Sequence, residues 1–291
     1  MFGVMTKPAF TVQRPESVTT CVVFASPHSG TRYSESFLSQ SVLSRQTIRS
    51  SEDAFVDKLI ANAPRLGAPT IAATMPRAFL DLNRSADELD PAVIAGLRTV
   101  SHNPRISSGL GVIPRVVANG RAIYRGKIPY EEAQERIDTY WWPYHHQLTD
   151  LLTEARNAFG QAILLDMHSM PHEALEGMHS HGGKVPDVVL GDRFGAAASS
   201  RIVDVVEAAF TAAGLRVARN APFAGAFVAQ RYGRPKQKQH AIQIEIDRRL
   251  YMDEASIAPK AGFAAFKALL TGVMAEICGY YRSDQVSLAA E

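Results

Sequence analysis

Apolar residues in this chain gather in short runs and helical stripes separated by polar segments, and two of the runs end in a histidine. Thr20 to Ala25 is rich in β-branched and aromatic residues and leads to Pro27-His28, while Ala162-Ile163-Leu164-Leu165 leads through Asp166-Met167 to His168. Each run has strand length and is too continuously apolar for a strand with one wet face, which predicts buried strands of an α/β sheet. Both imidazoles would then emerge where strands end, the place where open α/β sheets bind ligands. Further strands are predicted at Pro69 to Thr74, Ala78-Phe79-Leu80, Asp187 to Leu190 and Leu215 to Ala218. Ala241 to Asp247 alternates apolar and polar, as a half-buried strand does, with Glu245 on the polar side.

Helical spacing appears between these runs. Ser50-Ser51-Glu52-Asp53 offers capping and acidic first-turn chemistry ahead of Phe55, Val56, Leu59 and Ile60, predicting a helix that ends near Pro64. Tyr130 to Phe159 is the longest helical stretch, opened by Pro129, supported by the Glu132/Arg136 pair and expected to kink at Pro143. Ala196 to Ala213, closed by Gly214, and Phe263 to Tyr280 complete the set. Ser85 to Gly126 is irregular, with Asn103-Pro104, Gly109, Gly111 and Asn119-Gly120 as turn signals, and a long loop of this kind is often an active-site wall. Strands alternating with helices predict a three-layer α/β/α sandwich around a mixed, largely parallel sheet. No linker divides the 291 residues, so one domain is expected, preceded by a loose arm over residues 1–18.

Composition narrows the function classes. The 46% hydrophobic content allows a large core, and a net charge of +2, from 31 basic and 29 acidic residues, gives no reason to expect nucleic acid. Cys21 and Cys278 are distant in sequence and form no CxxC pair, so a reducing interior is expected rather than a disulfide framework. No basic segment followed by an apolar stretch opens the chain and no 18-residue uninterrupted apolar run occurs, which points to a cytoplasmic protein without a membrane partner. A GxSxG elbow, a Walker A loop and an intact GxGxxG are all missing, so serine-hydrolase and nucleotide-dependent readings lose their usual support.

Two neutral imidazoles in one crevice could hold a zinc ion, given a carboxylate as third ligand and one position left to water. A lone buried histidine is more often a hydrogen-bonded structural residue, and it is the placing of His28 and His168 at matching strand ends that favours the metal. Asp166 lies two residues before His168, points the same way along the strand and could orient an imidazole. Glu52, Asp53 and Asp57 are the candidates for the third ligand, although the helix dipole alone also explains acids at a helix start. Glu245 could carry a proton from water to a leaving amine if its face lines the crevice, while an edge strand with one solvated face would show the same alternation. Arg77 and Arg84 flank Asp81-Leu82-Asn83, where an arginine can grip a carboxylate or neutralise an oxyanion. His172, His179 and His181 follow His168 without ligand-like spacing and read as a solvated loop beside a pocket. His145 and His146 read as packing around the aromatic cluster at Trp142.

Taken in order, Pro27-His28-Ser29-Gly30, Ser51-Glu52-Asp53 with Val56-Asp57, Asp81-Leu82-Asn83-Arg84, Trp142-Pro143-Tyr144-His145, Leu165-Asp166-Met167-His168-Ser169 and Gln243-Ile244-Glu245-Ile246 resemble the N-formylglutamate amidohydrolase family. That family is similar in turn to zinc carboxypeptidases and to the aspartoacylase and succinylglutamate desuccinylase group. The resemblance runs from about Val22 to Glu254 and implies a phosphorylase/hydrolase-like α/β/α sandwich. It further implies one zinc ion held by His28 and His168, Glu245 as general acid/base, Asn83 and Arg84 on the substrate carboxylate and Arg77 on the oxyanion. The wider superfamily has a glutamate three residues after the first histidine, where this chain has Thr31; the family's recurring Asp ahead of Val-Asp implies Asp53 as the third ligand. The implied reaction is hydrolysis of an N-acyl amino acid, most specifically N-formyl-L-glutamate in histidine breakdown. Another N-acyl amino acid or peptide as substrate, or a non-catalytic amino-acid-binding relative, are the alternatives.

Overall fold

The two histidine-terminated runs form neighbouring strands, β2 (Val22–Ser26) and β4 (Ala162–Met170), in a computed structural model that describes residues 8–97, 103–176 and 185–282. With β1 (Phe10–Gln13), β3 (Thr70–Ala73), β5 (Val188–Gly191), β6 (Val217–Arg219) and β7 (Gln239–Asp247) they build a seven-stranded sheet in the order β1-β3-β2-β4-β7-β5-β6. β1 on β3 and β5 on β7 are antiparallel and the other pairings are parallel, so the sheet is mixed and largely parallel, as expected.

Strand alternation sends side chains into two separate cores. Val22 and Phe24, Ile163 and Leu165, and Ile242, Ile244 and Ile246 face the layer that contains Val56–Leu59, Ser200–Ala212 and Phe263–Tyr280. Val23, Ala25, Leu164 and Ala241 face the opposite layer, built on Trp142–Phe159 and Phe227–Tyr232. Each fully buried Val, Leu or Ile contributes about 1.5–3 kcal/mol relative to exposure, which is why both faces of the central strands are covered. The Phe263–Tyr280 helix is apolar enough to cross a membrane, but it buries Phe266, Leu270, Val273, Met274 and Ile277 in the first core.

Several sequence expectations are corrected. Part of the arm expected to be loose is strand β1, whose Phe10–Gln13 pairs with Ala73–Thr70 at the sheet edge. Ala78-Phe79-Leu80 is not a strand: the Phe79 and Leu80 amides fold back onto the Pro76 carbonyl. The helix after Asp53 is a single turn, Val56–Leu59. Ahead of Pro143 the helical stretch is interrupted: a π-helical turn at Ile137–Trp141 joins Tyr130–Arg136 to Trp142–Phe159, a widened turn that accommodates the missing proline N–H. β7 is no edge strand; it lies between β4 and β5 with both faces buried. His179 and His181 lie outside the described residues.

Trp141 and His145, one turn apart, grip the loop that carries Asp81 to Arg84. Trp141 Nε1 donates to the Arg84 carbonyl at 2.9 Å, and His145 Nε2 donates to the Leu82 carbonyl at 3.0 Å. A carbonyl only accepts, so His145 Nδ1 is left as acceptor for the Tyr232 hydroxyl at 2.9 Å. Burial, with Arg231 and His146 adding to it against the Leu82 hydrogen bond, lowers the pKa of His145 to about 3.

Two outcomes follow from this packing. The unfolded chain binds a proton at His145 near the ordinary histidine pKa and the native state does not, so stability is complete above that pKa and falls with pH towards 3. Between pH 7 and pH 5 this amounts to roughly 2 kcal/mol, and denaturant melts at the two pH values will show that loss reduced by the same amount in His145→Gln; an unchanged difference would refute the assignment. Burial also pushes the Cys21 and Cys278 thiols up to about 12. A thiol reagent at pH 8 will therefore label neither cysteine in the native protein and both after unfolding.

Candidate active site

Parallel pairing of β4 with β7 places Asp166 beside Gln243 and His168 beside Glu245, all on one face of the sheet. The polar half of each alternating strand is thus the wall of a crevice. His28 lies two residues past β2, and Gly30 lets its loop press on the next segment: a Cβ there would sit 2.0 Å from the Met75 carbonyl oxygen. Asp53 is tied to the same place, because its backbone N–H donates to the His28 carbonyl at 3.1 Å.

Three donor atoms converge in that crevice. His28 Nδ1 and His168 Nδ1 are 3.1 Å apart, and Asp53 Oδ2 lies 3.3 Å from the first and 2.9 Å from the second. The far nitrogen of each ring is bound to its own carboxylate: His28 Nε2 to Asp81 at 2.7 Å and His168 Nε2 to Asp166 at 2.8 Å. With each Nε2 held by its own carboxylate, the Nδ1 atoms are the ones turned towards each other and towards Asp53. Two imidazole nitrogens and a carboxylate oxygen at this separation can share a cation, whether a proton on the His168–Asp53 contact or a metal ion. Tetrahedral zinc with ligands at about 2.0–2.1 Å spaces its donors by roughly 3.3 Å, which fits the set. His28, Asp53 and His168 could hold a metal ion.

Charge inside the crevice follows from burial and pairing. Burial disfavours ionised Asp53, yet hydrogen bonds and charge from His168 and His28 hold its pKa well below the usual range. Asp81 is likewise held low against burial by His28, Arg77 and Arg84. Burial opposes a charged His168 too, but Asp166, Asp53 and Glu245 outweigh it and raise the ring's pKa. Glu245 moves the other way: burial, with Asp53 adding to it, raises its carboxyl above the ordinary range. Gln243 Nε2 donates to Glu245 Oε1 at 2.8 Å and fixes its orientation.

The remaining predicted residues surround this centre. Arg77 binds Asp81 at 2.8 Å and keeps 23% of its side chain exposed towards the cavity. Arg84 donates to the Leu110 and Asn83 carbonyls, and among the described residues no carboxylate pairs with it. Asn83 accepts from the Val228 N–H and donates to Gln243, so its amide locks the loop onto the Phe227–Tyr232 helix and β7. Glu52 turns away from the histidines to Tyr33 and Arg49, and His172 pairs with Asp247 outside the centre. Sequence reasoning missed Arg248, whose guanidinium holds Asp53 Oδ1 and Ser169 Oγ at 3.1 Å, and the part Asp81 plays on His28. A buried acid two residues before Asn83 was the only sign of the latter.

Known proteins share this arrangement's sequence and fold. The N-formylglutamate deformylase of Pseudomonas aeruginosa is 30% identical over 267 residues, covering 90% of this chain and 94% of that protein. The N-formylglutamate deformylase of Pseudomonas putida is 29% identical over 236 residues, or 80% and 82% of the two chains. The crystal structure of N-formylglutamate amidohydrolase from Ralstonia eutropha JMP134 superposes with a TM-score of 0.87 at 36% identity, covering 94% of this chain and 99% of that one. Gene product Atu2144 of Agrobacterium tumefaciens shares the fold, with a TM-score of 0.61 at 17% identity over 93% and 96% of the chains. With residues 20–252 matching that family's profile, the chain belongs to the N-formylglutamate amidohydrolase family.

Proposed function

We propose that the chain hydrolyses N-formyl-L-glutamate to formate and L-glutamate, with one zinc ion held by His28, Asp53 and His168. The observation that carries this reading is the convergence of His28 Nδ1, His168 Nδ1 and Asp53 Oδ2 beside Glu245. When bound, zinc supplies Lewis-acid chemistry, polarising a carbonyl and making water more acidic. Asp81 and Asp166 hold the two rings with Nδ1 forward. Glu245, oriented by Gln243, takes a proton from the attacking water and passes it to the departing amine as the C–N bond breaks. Arg77 lines the cavity with Glu245 and supplies positive charge to the oxyanion.

Recognition of the amino acid falls to a recess of 200 Å³ lined by Arg84, Arg105, Asn83, Arg77 and Glu245. Arg84, fixed by two backbone carbonyls, keeps donors for a carboxylate, and Asn83 holds the loop in place. The family resemblance alone supports the setting we propose for this reaction, the cytoplasm and histidine breakdown.

Purified protein loaded with zinc will release formate from N-formyl-L-glutamate, and Glu245→Gln and His168→Ala will each abolish it. Zinc will also raise the melting temperature of wild type but not of His168→Ala, and formate release insensitive to both substitutions would overturn the reading. Arg84→Lys loses a two-pronged, charge-assisted contact of about 1.5–3 kcal/mol. Steady-state kinetics will show KM rising roughly ten- to a hundred-fold with a smaller change in kcat; a loss confined to kcat would remove Arg84 from substrate binding.

A further inference from the structure

The crevice has a second lobe that a formyl group does not need. Adjoining the Arg84 recess at Arg77, Phe223 and Glu245, the described residues leave a cavity of 380 Å³. Its surface is mainly apolar, with Leu110, Val116, Ala118, Met170, Pro171 and Phe223 outweighing the serine hydroxyls, and its charged groups are Asp53, Arg77, Asp81, Glu245 and Arg248. Arg248 there is committed to Asp53 and Ser169. This volume equals roughly a dozen water molecules, whereas the formyl carbon carries only a hydrogen beyond the carbonyl.

The two lobes divide a substrate by chemistry. The recess with Arg84 and Arg105 takes the charged amino acid, and the amide lies where the lobes meet at Glu245 and Arg77. Whatever is attached to the acyl carbon then points into the apolar lobe. We infer that this lobe is an acyl subsite, and that the protein hydrolyses N-acyl-L-glutamates whose acyl groups are apolar and several carbons long. The inference rests on the reading above for the metal centre and the amino-acid recess. The bond changes are those of the same reaction: water adds its oxygen to the acyl carbon, the C–N bond breaks, and the amine leaves with a proton as the carboxylic acid forms. Ala118 is exposed and lines the lobe, so a larger side chain there tests it from outside the buried core.

N-hexanoyl-L-glutamate and N-formyl-L-glutamate separate the possibilities. The zinc-loaded wild type is expected to hydrolyse the hexanoyl compound with kcat/KM within tenfold of the formyl compound, and Ala118→Trp to lower the hexanoyl-to-formyl ratio at least tenfold. Calorimetric titration of Glu245→Gln is expected to show the hexanoyl compound binding at least tenfold more tightly. Formyl turnover without hexanoyl turnover or tighter binding overturns the acyl subsite and leaves the proposed function standing. Should neither compound be hydrolysed, the proposed function fails, and the titration decides the lobe: tighter hexanoyl binding upholds it and equal binding removes it. An unchanged ratio in a folded Ala118→Trp protein places the acyl group elsewhere.

Discussion

Four carboxylates buried in one crevice are the constraint on which this structure depends. Asp53, Asp81, Asp166 and Glu245 are between 0% and 7% exposed, and a buried charge without a partner is strongly destabilising. Three of them are threaded by imidazoles in the sequence Asp81, His28, Asp53, His168, Asp166, with each contact between 2.7 and 3.3 Å. The five members come from four places: the loop after β2, the segment before Val56–Leu59, the turn after Pro76, and β4, which supplies both Asp166 and His168. The chain of contacts closes only when the sheet order and both loops are correct. Breaking one link strands a charge, at a cost of about 3–5 kcal/mol, so the same network that shapes the site also selects the fold around it.

The opposite helical layer completes this arrangement through backbone groups. Trp141 and His145 hold the carbonyls of Arg84 and Leu82, while Asn83 between them bonds Val228 and Gln243. The loop from Asp81 to Arg84 is therefore clamped from two sides, and Asp81 reaches His28 in a fixed pose. Irregular backbone of this kind gains its rigidity from neighbours, which explains why so much buried polar chemistry lies between the sheet and that layer.

The sheet was legible in the sequence because its central strands announce themselves: continuous apolar runs for β2 and β4, and period-two alternation for β7. The same periodicity exposed Asp166 with His168 and Gln243 with Glu245, since residues two apart share a face. β1 was missed because Phe10–Gln13 is short and only partly buried. Asp53 and Glu52 could not be separated locally, as consecutive residues both suit a helix start; only the fold turns one to the histidines and the other to Tyr33 and Arg49. Along the chain Arg248 is one of two adjacent basic residues after a strand. Its reach to Asp53 spans 195 positions, a contact that no pattern along the chain encodes.

Electrostatics bear on the ligand proposed for the recess. Burial, then the nearby Arg77 and Arg105, lower the pKa of Arg84 despite Asp81, which marks a place where positive charge is crowded. Asp81 is already engaged by His28 and Arg77, and backbone carbonyls neutralise only part of the Arg84 charge. An anionic amino acid would relieve that crowding, and a dicarboxylate would do so more completely than a monocarboxylate. The free protein holds the guanidinium in position beforehand, so little ordering of Arg84 remains to oppose binding. In the proposed reaction, selectivity for an acidic amino acid would arise from the imbalance built into the folded state, while the mainly apolar lobe beyond Glu245 would place no corresponding demand on the acyl group.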